Sequence, residues 1–237
     1  MQNIQMSTYL VEQADKHRNR MVLLLSAGVV TLVVAPFFNL LVGFSGGLIL
    51  LMIFWFFGMA EHHKWAKVME GIKGEDFFHA CLSAIISKSD SVLYRGVPTD
   101  YGDIDYLLVG TNGIYAFEIK NHSGYINYNE NGWKKVKISG GGLAYTGGIG
   151  NPSGQLGRNI MWLKNYLKSQ GIENIWIKGI VVFTHPRARL SVKGLKNIMA
   201  ITPEGIPDAL RGAEIEEEKA VRIVKAIEKL RKQNRVF

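Results

Sequence analysis

From Met21 to Ala60 the chain carries no Lys, Arg, Asp, Glu or His. As one helix these forty residues would run ~60 Å, about twice the hydrocarbon thickness of a bilayer. The stretch must therefore turn back on itself. Pro36, Asn39, Gly43, Gly46 and Gly47 mark its middle, which predicts two apolar helices near residues 21–38 and 43–60. Each has roughly the ~17–25 residues needed to cross a membrane. Lys16, Arg18 and Arg20 precede the first, Lys64 and Lys67 follow the second, and the connection is uncharged. By the positive-inside rule both chain ends are expected in the cytoplasm. Neither span holds an ionisable residue, so an anchor is expected and not an ion path.

Beyond residue 60 the pattern changes to short elements. Residues 61–73 continue the second span as a juxtamembrane helix or linker. His62 and His63 there are adjacent, so on a helix they face different directions and make a poor metal pair. Phe78, Leu82 and Ile85 recur at helical spacing and predict a helix over 74–88, with Glu75 on the same inward stripe. A carboxylate in a helix's first turn either serves the exposed N–H groups or belongs to a site. Runs at 91–96, 103–109 and 114–120 read as strands, the last two joined by Gly110-Thr111-Asn112-Gly113, a hairpin signal.

Alternation along those strands gathers Asp105, Glu118 and Lys120 on one face. With Asn112-Gly113 as the turn, Asp105 opposes Lys120; with Thr111-Asn112, it opposes Glu118. The other face, with Ile104, Tyr106, Leu108, Tyr115, Phe117 and Ile119, is apolar throughout. Two carboxylates and a lysine among core residues form either a cross-strand ion pair or a divalent-metal site, since Mg²⁺ commonly takes one or two carboxylates and completes its shell with water and phosphate oxygens.

The Gly-rich stretch 139–157 lacks a following Gly-Lys-Ser/Thr, so it is expected as a mobile loop and not a nucleotide-phosphate cradle. Asn151 and Pro152 suit an N-cap and first helical residue, and Leu156, Ile160, Leu163 and Leu167 give that helix a buried stripe. Gln155 lies in its first turn, as a surface amide or a site residue. Residues 176–183 read as a strand, 198–201 as another. Between them Thr184 to Leu190 makes a basic turn, where His185 suits a structural role better than that of a general base. The last helix, from about Glu214, has Val221, Val224, Ile227 and Leu230 on its apolar side.

Composition sharpens this picture. Mean hydropathy is +0.06, high for a soluble protein and explained by the apolar segment. One cysteine excludes a disulfide framework or a multi-cysteine metal centre. Residues 61–237 hold 25 basic and 18 acidic residues, a surplus of +7 that suits nucleic acid or anionic lipid head groups. Arg158, Lys164, Arg187 and Arg189 are the candidate phosphate contacts.

Asp105 followed after twelve residues by Glu118-Ile119-Lys120 resembles the D…E-x-K core of the PD-(D/E)-x-K nucleases. More narrowly, residues 71–185 resemble the nuclease-related domain (NERD) family. The resemblance is carried by Gly71-x-x-Gly74-Glu75, by 103–110, by 113–120, by Asn151-Pro152-x-x-Gln155 and by 180–183. It implies an α/β, restriction-endonuclease-like core, a mixed sheet flanked by helices, which the apolar pattern expects to be preceded by two transmembrane helices. It implies convergence of Glu75, Asp105, Glu118, Lys120 and Gln155 as catalytic residues, Mg²⁺ or Mn²⁺ on Asp105 and Glu118, and phosphodiester hydrolysis of DNA more readily than RNA. The expected organisation is a cytoplasmic segment 1–20, a hairpin 21–60, a juxtamembrane linker 61–73 and a nuclease-like domain 74–237. The rivals are a non-catalytic nucleic-acid tether and a membrane scaffold that docks proteins or lipid head groups.

Overall fold

The structure, a computed structural model, describes residues 8–34, 37, 42–87, 89–138, 143–211 and 214–233. Pro36 and Asn39, expected at the turn between the apolar helices, lie outside them, as do residues 139–142 at the start of the Gly-rich stretch. The chain divides into two compact units, one ending at Ile72 and one beginning at Lys73.

The first unit holds α1 (Thr8–Val34) and the greater part of α2 (Val42–Ile86). Both helices outrun the expected spans: α1 begins among the N-terminal polar residues, and α2 is helical through 61–73 and on to Ile86. Small residues let the pair approach, since a Cβ on Gly28 would come within 3.1 Å of Phe54 Cβ and one on Gly58 within 2.9 Å of a Leu25 methyl. Below the apolar part, His17 Nδ1 lies 2.5 Å from Glu61 Oε2, and Lys64 donates to Glu61 Oε1 at 2.7 Å. The outward surface is apolar: Leu23 and Phe56 are each 68% exposed.

The second unit contains the C-terminal turns of α2 and two sheets flanked by helices. A five-stranded sheet has the order β1-β2-β3-β7-β9, from β1 (Val92–Val97), β2 (Ile104–Gly110), β3 (Gly113–Lys120), β7 (Ile177–Phe183) and β9 (Ile198–Ile201). The first three run antiparallel, and β7 and β9 join parallel. A second sheet, unforeseen in the hydrophobic pattern, has the order β6-β5-β4-β8. It comprises β4 (Gly124–Asn129), β5 (Gly132–Ile138), β6 (Ala144–Gly147) and β8 (Ala188–Val192). Part of the Gly-rich stretch is thus strand, not loop, and the basic turn after Phe183 leads straight into β8.

The central strands are apolar on both faces because both are covered. On one side Leu107, Ala116 and Val181 pack with Leu156 and Leu163 of α3 (Pro152–Ser169) and with Ile223 and Ile227 of α5 (Glu217–Gln233). On the other, Tyr106, Phe117 and Val182 pack with Phe78 and Leu82 of α2 and with Ile206 of the short α4 (Ile206–Ala209).

Three expected placements fail for local reasons. Ile85 is 40% exposed, because a helix that buries Phe78 and Leu82 next turns Ile86 inward. Val221 is 45% exposed; the stripe of α5 runs one residue earlier, through the small Ala220 and then Ile223. Ile104 packs with Leu107 instead of Tyr106. Facing Asp105 on β1 is Gly96, whose φ of +62° bends the strand there and ends simple alternation.

Candidate active site

The hairpin register settles where the acidic residues meet. Gly110 pairs with Gly113 and Tyr106 with Phe117, so Thr111-Asn112 is the turn and one further step brings Asp105 opposite Glu118. Asp105 Oδ2 accepts a hydrogen bond from the Ile119 amide at 2.6 Å. Lys120 Nζ donates to Glu118 Oε1 at 2.5 Å. Glu118 is all but inaccessible, with a side chain 1% exposed, and its other oxygen, Oε2, is buried with no hydrogen-bond partner.

Glu75 reaches the same place from α2. Gly74 brings the helix close: a Cβ there would lie 2.7 Å from Asn121 Cβ and 2.8 Å from Thr184 Oγ1, just past the ends of β3 and β7. The Glu75 carboxylate accepts from Arg95 Nη2 at 2.9 Å, and the same guanidinium meets Asp76 Oδ1 at 3.0 Å. The Tyr106 hydroxyl donates to the Glu75 carbonyl at 3.1 Å.

Burial and crowded negative charge set the electrostatics. Burial, and then the charge of Asp105, push the Glu75 carboxyl up to about 7 although Arg95 opposes them. Asp105 is raised by burial and by Glu118, against the Ile119 amide and Lys120. Glu118 is raised by burial, with Lys120 opposing. Burial works to lower the Lys120 ammonium, yet the charge and hydrogen bond of Glu118 outweigh it and hold it above its usual value. Three carboxyls are thus held with one ammonium and one guanidinium, a group that favours an added cation or added protons.

Glu75, Asp105, Glu118 and Lys120 accordingly come together. Residues 70–184 match the nuclease-related domain (NERD).

The matched segment begins and ends within one residue of the stretch whose motifs resemble that family, and it holds all four converging residues. No curated protein and no solved structure matches the chain.

The remaining candidates are placed differently. Asn151 caps α3, its side chain accepting from the Gly154 amide at 2.9 Å, and Gln155 is half-buried in the first turn. Among the described residues the Gln155 side chain makes no hydrogen bond, to the acidic group or elsewhere. Arg158, Arg187 and Arg189 are exposed, and Arg189 donates to the carbonyls of Pro186 and Ala188. Lys164 lies over the Trp176 ring at 5.1 Å; Trp176 precedes β7, ~20 Å along the strand from its site end. His185 Nδ1 accepts from the Arg187 amide at 3.0 Å, which stiffens the turn.

Two contributors escaped sequence reasoning, though each left a signal. Arg95 is a lone charge in an otherwise apolar strand. Asn159 sits on the buried stripe of α3 and is wholly inaccessible; it donates to the Asp103 carbonyl at 3.1 Å and accepts from Thr99 at 2.9 Å. It thereby ties the approach to Asp105 onto α3.

Proposed function

We propose that this protein is a membrane-anchored, divalent-metal-dependent nuclease that hydrolyses phosphodiester bonds of DNA, or of RNA, at the group formed by Asp105, Glu118 and Lys120. The observation that carries this reading is the Glu118 carboxylate: one oxygen bound by Lys120, the other buried and unpartnered, beside Asp105. A buried anionic oxygen without a donor is costly, and a hard cation satisfies it. Among the described residues no three His, Cys, Asp or Glu side chains gather as a metal cluster. Mg²⁺ or Mn²⁺ would nonetheless be accommodated by the Asp105–Glu118 pair alone, because such ions take one or two carboxylates and complete their shell with water and phosphate oxygens. Asp105 and Glu118 would hold the ion, which when bound makes a water more acidic and offsets phosphate charge.

The protein's own groups do the rest. Lys120, fixed by Glu118, steers the attacking water and stabilises negative charge that builds on the phosphoryl oxygens. Glu75, held by Arg95, would complete the acidic cluster through a water or a second ion. Water adds to phosphorus, the P–O ester bond breaks, and a phosphate monoester and a hydroxyl leave. Gln155, in the first turn of α3, would add a further polar contact to bound substrate.

For the anchor, the support is that α1 and α2 are each long and apolar enough to cross a membrane and turn their large apolar side chains outward. By the positive-inside rule the charge flanks favour a cytoplasmic position for both termini and for the part from residue 74 onward.

The test is cleavage of plasmid and labelled DNA and RNA oligonucleotides by the full chain in detergent, with Mg²⁺, Mn²⁺ or EDTA. Cleavage with metal that EDTA abolishes is the expected result. A protein that binds nucleic acid under all three conditions and never cuts is a tether instead.

A further inference from the structure

The face of the second sheet that holds Trp133 changes character along β5. Trp133, Lys135 and Lys137 alternate along that strand and project to one side. At Trp133 this side is closed. The indole N–H donates to Ser153 Oγ at 2.8 Å, and the ring lies 5.6 Å from Phe183, the register partner of Lys120. Further along, the same side becomes cationic. The Lys135 side chain lies over Gly147, its Cε 3.5 Å from where a Cβ would stand, and the Lys137 stem lies over Gly124 at 3.3 Å.

Tyr145 stands directly opposite Lys137 across β5 and β6, hence on the same face, and is 53% exposed. The loops beside this face carry His122 and His185, joined where the Gly124 amide donates to the Arg187 carbonyl at 3.1 Å. Burial first, and then the charges of Lys135, Lys120, Lys137 and His185, push the His122 imidazole down to about 4, so Lys120 and the β5 lysines lie close enough to act on one side chain. Among the described residues Lys137 forms no ion pair.

Cations in a row next to an acidic group call for a ligand that is itself a chain of anions. An exposed ring among them calls for a flat partner. Unpaired nucleotides offer both, phosphates for the lysines and a base face for the tyrosine, whereas a duplex keeps its base faces stacked inside. We propose that Lys135, Lys137 and Tyr145 form a track along which single-stranded nucleic acid lies as it enters the Asp105–Glu118 site. This inference rests on the phosphodiester reading of that site and names its substrate class.

The test measures fluorescence polarisation of the full chain, in neutral detergent with EDTA, against a labelled oligothymidylate and a duplex of equal length. The single strand should bind about tenfold tighter or more, and Tyr145→Ala should weaken it about 5- to 100-fold, with the duplex little changed and Tyr145→Phe close to wild type. Lys137→Gln should lower affinity and reduce the salt slope by about 0.7, while Lys134→Gln, on the opposite face of β5, should leave both unchanged. Equal affinity for strand and duplex, or a Tyr145→Ala variant that binds like wild type, overturns the proposal. So does a Lys134→Gln variant as weakened as Lys137→Gln. EDTA removes any contribution from cleavage, so a strand preference that survives in a protein that never cuts supports the track while refuting the hydrolase.

Discussion

Asp105 Oδ2 accepts a hydrogen bond from the backbone amide of Ile119 at 2.6 Å, which fastens a carboxylate of β2 to the stretch of β3 between Glu118 and Lys120. The bond uses one oxygen of Asp105 to set its position and leaves the other for a ligand. It also makes the acidic pair a property of the hairpin, so the site depends on strand register and not on a flexible loop.

The two carboxylates and the lysine should separate in a mutational series. Asp105→Asn and Glu118→Gln keep side-chain size but remove the charge that holds a cation, so Mn²⁺ binding and cleavage should both fall. Lys120→Ala should leave Mn²⁺ binding largely intact while cleavage drops on the order of 100-fold or more. Calorimetry with Mn²⁺ and plasmid nicking read the two effects. If all three variants cut like wild type, the chemistry lies elsewhere.

Stability should fall as pH rises through the acidic group. Glu75 is raised from 4.5 to about 7 in the folded protein, so between those values the folded state binds more protons than the unfolded one. Stability attributable to this proton is present below the unfolded value and is lost as pH climbs through 7. At 1.36 kcal/mol per unit the effect is about 3 kcal/mol. Melting of the full chain in EDTA from pH 4.5 to 8 should therefore show a decline that Glu75→Gln flattens. A wild-type profile that is level, or parallel to that of Glu75→Gln, contradicts the assignment.

Gly74→Ala tests how α2 is seated. An added Cβ would meet Asn121 Cβ at 2.7 Å and Thr184 Oγ1 at 2.8 Å, and overpacking of this kind costs about 1–3 kcal/mol. Chemical denaturation should show that loss. Gly71→Ala, where a Cβ meets nothing within 4 Å, should show none, and equal effects at both positions would mean that helix propensity alone is at work.

Topology is accessible to reporters. Fusions at residue 1 and at residue 237 should both report the cytoplasm, and washing membranes without detergent should not release the chain. Opposite sides for the two ends would remove the two-span reading.

Much of this protein was legible in one dimension because the governing forces are local or periodic. Forty residues without a charge, broken only near the middle, specify two long apolar helices whatever lies around them. The Gly110-Thr111-Asn112-Gly113 turn signal between two apolar runs specifies a hairpin, the period of two along its strands puts the carboxylates on one side, and Asn151-Pro152 specifies a helix start. Tertiary contacts decided the rest. Only the choice of Thr111-Asn112 as the turn put Asp105 opposite Glu118 and not Lys120, because both turns satisfy the same alternation. The capping role expected for Glu75 fails because α2 runs unbroken from Val42 through it and leaves no free N–H groups there; its place in the site depended on Gly74 meeting Asn121 and Thr184 from other elements. Nothing near Arg95 in sequence announces that its charge offsets a carboxylate twenty residues earlier. The second sheet stayed hidden because its strands are short, rich in Gly, Asn and Lys, and paired through β8, which returns more than fifty residues later. Order along the chain determines which faces are apolar; which faces meet, and so which charges share a pocket, is set by packing between residues that the order keeps apart.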